Sequence, residues 1–247
     1  MNIIQSPSLG LGAGSKFASE VKYVVSLELA EEIRTWSREN MQADPNGSGN
    51  AGDNYTITSI YLDTEDFAVL RRKGSYGKGK YRIRRYGESP QVFLERKLKT
   101  RGLISKRRSQ ISIGELLRIA AAEPESDWQG YWYHRRILAR RLQPVCQISY
   151  TRTARMLMSP TGPLRLTMDE QVTAVPTDQI EFHNAAPTPL SIGGVIVELK
   201  YRQQMPALFE ELVKRLGLKP QPSSKYRIAC ATLGLGVMQP PAAVEAA

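Results

Sequence analysis

The sequence predicts an α+β fold in which a mainly antiparallel sheet curls into a closed barrel, with helices packed on its outside. Three observations lead there. Segments of period two dominate the chain, and the turn signals between them are short enough for hairpins. In strand after strand, charged residues fall on one face and apolar residues on the other. Enough helical sequence remains to cover an apolar outer surface. The chain has 247 residues, 41% of them hydrophobic, ample for one domain with a substantial core.

The elements follow in order. Glu20–Val25 reads as a strand. Leu27–Met41 reads as a helix, with Ser26 placed to cap it. Residues 43–54, rich in Gly, Asn and Asp, read as a loop, and Tyr55–Leu62 as a β-branched strand. A short helix is expected over Glu65–Arg72. Residues 80–86, 91–98 and 103–111 form a meander, and 112–142 reads as mostly helical. Strands follow at 145–156, 163–170 and 194–201, then two closing helices, Gln204–Leu216 and Lys225–Leu235. Residues 1–16 and the tail from 237 have nothing to bury and are expected to be disordered, leaving 17–236 as the domain.

Parity carries the functional argument. Glu20 and Lys22 share a face against Val21 and Tyr23. Arg82 and Arg84 oppose Tyr81 and Ile83. Glu95 and Lys97 share a face, as do Ile104, Lys106 and Arg108. Arg165, Thr167 and Asp169 oppose Leu164, Leu166 and Met168. Glu198 and Lys200 oppose Val197 and Leu199. A glutamate precedes a lysine by two residues in three of these strands. An ordinary solvated face mixes its charges without repeating that spacing, whereas a barrel lined with charge accounts for it. Such a lumen repels itself unless an anion fills it, and phosphate oxygens match both the guanidinium fork and the ammonium. The interleaved carboxylates add hard oxygen donors suited to Mg²⁺ or Mn²⁺.

Composition agrees. Lys and Arg number 34 against 24 Asp and Glu, a formal charge of +10, which favours a polyanionic partner. The basic residues alternate with acids, and no helix-turn-helix, zinc-finger or RNP signature is present, so nucleic acid is not the expected partner. Cys146 and Cys230 form no CxxC pair and read as reduced core residues; zinc and a disulfide framework are both disfavoured. The N-terminal stretch has no signal-peptide pattern, no apolar run approaches 18 residues, and a cytoplasmic location is expected. Trp128, Trp132 and Tyr133, beside His134, Arg135 and Arg136, read as a packing face with a basic flank.

The segments EVKY (20–23), SIYLDT (59–64), YRIRRYG (81–87), VFLERK (92–97), SKRR (105–108), YTRTA (150–154), LRLTMD (164–169), VIVELKY (195–201) and SSKY (223–226), in this order, resemble the VTC domain. This is the polyphosphate polymerase domain of the vacuolar transporter chaperone complex, within the CYTH and triphosphate tunnel metalloenzyme superfamily. The resemblance implies a closed barrel of about eight strands around phosphates and a divalent metal. It implies a phosphate-binding lining of Lys22, Arg82, Arg84, Lys97, Lys106, Tyr150, Arg152, Arg165, Lys200, Ser224 and Lys225. Among these, Arg82, Arg84, Lys97, Arg165, Lys200 and Lys225 would carry catalysis. Glu198 matches the family's metal-binding glutamate, with Glu95 and Glu20 as weaker candidates. The implied activity moves the γ-phosphoryl group of ATP onto a polyphosphate chain. The alternatives are a metal-dependent triphosphatase and a non-catalytic polyphosphate-binding module. The superfamily's opening ExExK is incomplete here, with Ala18 in the first glutamate position, which weakens a two-metal triphosphatase reading. The sequence has neither the SPX domain nor the membrane segments of the eukaryotic complex, so coupling synthesis to translocation would call for a membrane partner protein.

Overall fold

A computed structural model of the chain describes residues 19–45, 47, 52–100, 103–202 and 204–236. The expected disordered stretches, 1–16 and 237–247, lie outside the described residues. The strands are β1 (Ser19–Val25), β2 (Gln42–Ala43), β3 (Asn54–Asp63), β4 (Gly79–Tyr86), β5 (Gln91–Thr100), β6 (Leu103–Ser112), β7 (Gln143–Ser159), β8 (Gly162–Pro176), β9 (Thr188–Pro189) and β10 (Val195–Tyr201). The helices are α1 (Leu27–Asn40), α2 (Tyr131–Ala139), α3 (Ala207–Arg215) and α4 (Lys225–Thr232). All strands join one antiparallel ten-stranded sheet in the order β1-β10-β8-β7-β3-β4-β5-β6, with β2 and β9 added beside β7 and β8.

The sheet curls but does not close, and this corrects the expected closed barrel. Among the described residues β1 and β6 end the sheet unpaired to each other. Part of the free edge of β1 is already in use: Gln221 N donates to Lys22 O at 2.8 Å, so the segment leading into α4 runs beside that strand. Side chains, not a ladder, span the gap on the inner side, where Lys97 of β5 donates to Glu20 of β1 at 3.0 Å.

The outer, apolar face is buried as its alternation requires. Val195, Val197, Leu199, Leu164, Leu166 and Met168 pack with Tyr23 under Ile33 and Trp36 of α1 and Phe209 and Leu212 of α3. On the other half, Ile60, Ile83, Leu94 and Ile111 pack under Trp128, Tyr133 and Ile137. The predicted packing face of α2 is therefore correct, with Arg135 and Arg136 exposed. Ser26 caps α1 by accepting from Leu29 N.

Two helical expectations fail for local reasons. Residues 65–72 form turns instead of a helix, because the Asp63 carboxylate captures the amides of Thr64, Val69 and Leu70. Phe67 and Arg72 also adopt positive φ, 55° each, which no α-helix admits. Residues 112–142 divide into a 3-10 turn over Ile113–Ala120, a bend and the short α2.

Asp63 also accepts from the Tyr226 hydroxyl at 2.6 Å, tying α4 to the end of β3. Tyr226 stacks on Tyr61 with ring centroids 5.3 Å apart and planes at 9°. α4 therefore lies against the inner face of the sheet and fills part of its interior. Asp63 is fully buried, so Asp63→Ala strands several buried donors. The expected loss is about 3 kcal/mol of stability, against about 1 kcal/mol for Tyr226→Phe. Urea unfolding of both variants checks this; equal, small losses would show that Asp63 does not organise the turn.

Candidate functional site

The inner face is where the charge collects. Register brings the charged positions of successive strands side by side: Lys22 with Glu198, Glu198 with Thr167, Lys200 with Arg165, Arg152 with Asp169, Arg82 with Glu95, and Glu95 with Arg108. Every residue singled out from the sequence as a site candidate lies on this face or at the N-terminus of α4, which enters it. The strand parities thus converge on one concave surface.

Three ion-pair clusters occupy it. In the first, Glu198 takes Lys22 on one oxygen at 2.5 Å and Lys200 on the other at 2.6 Å. Glu20 joins through Lys97 at 3.0 Å, Lys22 at 3.5 Å and Lys200 at 3.8 Å. In the second, Glu95, 1% exposed, receives Arg82 at 2.7 Å, Lys106 at 2.6 Å and Arg108 at 3.0 Å. In the third, Asp169, fully buried, receives both nitrogens of the Arg152 fork at 2.6 and 2.7 Å, and Lys225. Arg165 pairs with Asp44 at 2.7 Å and donates to the Tyr55 hydroxyl at 2.9 Å.

Neutral groups hold the remaining members. Arg84 makes no ion pair among the described residues. It donates to Ser59 Oγ at 3.0 Å and to the Tyr150 hydroxyl at 3.1 Å. The Tyr150 ring carries Lys225 Nζ 4.5 Å from its centroid and the Arg152 guanidinium at 5.4 Å. Ser224 caps α4 and accepts from Lys80 Nζ at 2.8 Å.

The electrostatics follow from this crowding. Burial alone would raise Glu198, but Lys200 and Lys22, with Arg152 and Lys225, outweigh it and hold the carboxyl well below the ordinary range. The same competition takes Glu20 down to about 2. Lys106 moves the other way: burial, with Arg108 and Arg82 nearby, overrides Glu95 and lowers it to about 8. Tyr86 would rise on burial, yet Arg84, Arg108 and Lys106 bring it to about 7. Cations thus outweigh the carboxylates locally as well as in total.

The metal expectation divides. Glu198 and Glu20 share a cluster, and beside Glu198 the fully buried Thr167 has its hydroxyl unpartnered among the described residues. Two carboxylates and a spare hydroxyl are hard oxygen donors, and they fit a divalent cation once an ammonium turns away to an anion. Glu95 does not fit, because Arg82, Lys106 and Arg108 converge on it. Among the described residues no group of three or more His, Cys, Asp or Glu converges as a ready-made cage, so phosphate oxygens would have to complete the shell.

Sequence reasoning passed over several members of this face. Lys80 continues the parity of Arg82 and Arg84, and extending the alternation finds it; Arg108, read on the charged face beside Lys106 but given no role, pairs with Glu95. Asp169 had been placed on the charged face without a role; it anchors Lys225. Tyr61 and Ser59 were hidden as uncharged residues of an apolar-looking strand. Asp44 comes from a loop and gave no signal. No described helix is long and apolar enough to cross a membrane.

Comparison with known proteins places the fold. The family described as VTC domain matches residues 17–234. No curated protein matches. Among solved structures, a Bacillus halodurans protein named as an adenylate cyclase aligns with a TM-score of 0.53 at 17% identity, covering 85% of this chain and 94% of its own. A Hippeastrum protein described by a dominant triphosphatase activity aligns at 0.49 and 13%, covering 88% and 96%.

Asp169 gives this face an acid limit. Burial would raise its pKa, but Arg152 and Lys225 bring it down to about 2, from an ordinary 3.8. The folded state therefore binds its proton less readily than the unfolded state. The stability it adds is present above about pH 4 and drains away as pH falls toward 2. Melting temperature measured from pH 5 to pH 2 should fall in wild type. Asp169→Asn should start lower and fall less; parallel curves would remove Asp169 from the balance.

Proposed function

Because the chain belongs to the VTC domain family, we propose that it is a polyphosphate polymerase-type phosphotransferase, moving the γ-phosphoryl group of ATP onto a polyphosphate chain bound along its concave face. One observation carries the reading. A single inner face gathers cations from β1, β4, β5, β6, β7, β8, β10 and α4, in excess of the carboxylates that share it. A protein keeps so many like charges together at a cost, and a chain of phosphates removes that cost.

The chemistry asked of the side chains is positioning and charge neutralisation. A terminal oxygen of the acceptor chain forms a new bond to the γ-phosphorus. The bond from that phosphorus to the β–γ bridging oxygen breaks, and its electron pair leaves with ADP. Arg82 and Arg84 present forks to non-bridging oxygens. Arg152, Arg165, Lys22, Lys97, Lys106 and Lys200 neutralise the flanking phosphates, with Tyr150, Ser224 and Lys225 closing the inner end. A divalent cation on Glu198 and Glu20 would neutralise charge between neighbouring phosphate oxygens. No nucleophilic side chain is required, since the attacking oxygen belongs to the acceptor.

The glutamates of the empty face act as internal counterions. When phosphate enters, Lys22 and Lys200 exchange Glu198 for phosphate oxygens. Binding therefore trades one set of ion pairs for another, and the gain comes from the cations in surplus.

Purified protein incubated with ATP and Mn²⁺ should yield a ladder of polyphosphate on a gel. Release of free phosphate alone would give the triphosphatase reading, and no turnover with retained binding would give a binding module. Tripolyphosphate should also raise the melting temperature more than sulfate at equal ionic strength. Equal shifts would mean general screening. Glu198→Gln should fold and still bind tripolyphosphate, while metal-dependent turnover falls by about a hundredfold or more. Undiminished turnover would remove Glu198 from the site.

A further inference from the structure

Lys80 differs from every other lysine described on the inner face. Lys22, Lys97, Lys106, Lys200 and Lys225 each rest on a carboxylate. No carboxylate oxygen lies within ion-pair distance of Lys80 among the described residues, and its ammonium donates only to a hydroxyl, Ser224 Oγ at 2.8 Å. Its register neighbour on β5 is another cation, Lys97. Burial, reinforced by Lys22, Lys97 and Arg82, lowers its pKa to about 8 even with Tyr61 opposing. Among the described lysines of the face, Lys80 is the one whose charge no carboxylate compensates.

The same point abuts α4. Ser224 is the N-cap of that helix, Tyr226 stacks on Tyr61, and the Tyr226 hydroxyl is fixed on Asp63. Behind Ser224 the interior is filled by Tyr226, Ala229 and Cys230, all buried. A chain of phosphates lying along the face cannot continue past the helix, so what meets Lys80 is the end of a chain.

We propose that Lys80 and Ser224 form a chain-end subsite, which receives the terminal phosphate of a linear polyphosphate and so distinguishes ends from interior units. Charge and shape ask for the same group. An interior unit of the polymer carries a single negative charge, whereas a terminal phosphate near neutral pH carries about −2, with three oxygens free to accept. The doubly charged group goes where the protein supplies no carboxylate of its own. The Ser224 hydroxyl, which now accepts from Lys80, can turn to donate to the same phosphate. This rests on the phosphate-binding reading and adds to it a preference for one part of the polymer.

The test compares two probes by calorimetry in EDTA: linear tripolyphosphate, which has ends, and cyclic trimetaphosphate, which has none. Wild type should bind the linear probe more tightly. Lys80→Met should lose about tenfold in affinity for the linear probe, the worth of a charge-assisted contact, and change little for the cyclic one. Lys80→Arg should restore the preference. Lys80→Gln, close to lysine in length, gives the same reading should Met disturb the fold. An equal loss for both probes would make Lys80 a general contributor to the field and overturn the subsite, as would no loss for either. Wild type that binds neither probe would overturn the phosphate-binding reading itself.

Discussion

The structure turns on one constraint: a concave sheet face must hold many cations close together with too few carboxylates to balance them. Everything around that face answers to it. The carboxylates that are present serve several cations each, so that Glu95 meets Arg82, Lys106 and Arg108, and Glu198 meets Lys22 and Lys200. Hydroxyls and aromatic rings make up part of the difference. Tyr150 is the clearest case, accepting from Arg84 while its ring faces Lys225 and Arg152. Such an interior is a strain reservoir, and a strained cationic surface has a larger differential affinity for a polyanion than a relaxed one.

The apolar outside makes the strained inside possible. Most strands that point a charge inward, β1, β4, β5, β8 and β10 among them, point apolar side chains outward, under α1 and α3 on one half and under α2 with its preceding 3-10 turn on the other. Val197 and Leu199 flank Glu198 and Lys200 in just this way, and both are fully buried. Packing at this density resists the backbone shifts that would let like charges drift apart. The geometry of the cationic face is therefore set by hydrophobic contacts on the opposite side of the same strands.

Much of this was legible in the sequence, and the reason is period two. A strand cannot choose which residues share a face, so Arg82 with Arg84, or Arg165 with Asp169, had to point together wherever the strand went. What parity cannot give is curvature or pairing at the edges, and there the reading failed: β1 and β6 do not meet, because the main chain near Gln221 takes up Lys22 instead. Nor can it see tertiary capture of backbone amides. Residues 65–72 have the composition of a helix, but one buried carboxylate, Asp63, claims the amides that a helix would need. Contributions from loops and from uncharged residues, such as Asp44 and Tyr61, carry no periodic signal at all.

The pairing of β1 with β10 has a consequence for the order in which the molecule is made. Lys22 and Glu198 are 176 residues apart in sequence, so a ribosome emits the lysine long before the nearer of its two carboxylates, and only Glu20 is beside it from the start. Arg82 and Lys97 depend on neither β10 nor α4 for a counterion, since they pair with Glu95 and Glu20. Glu20 and Glu95, placed early in the chain beside those same cations, give the nascent protein its own anions to fold upon first.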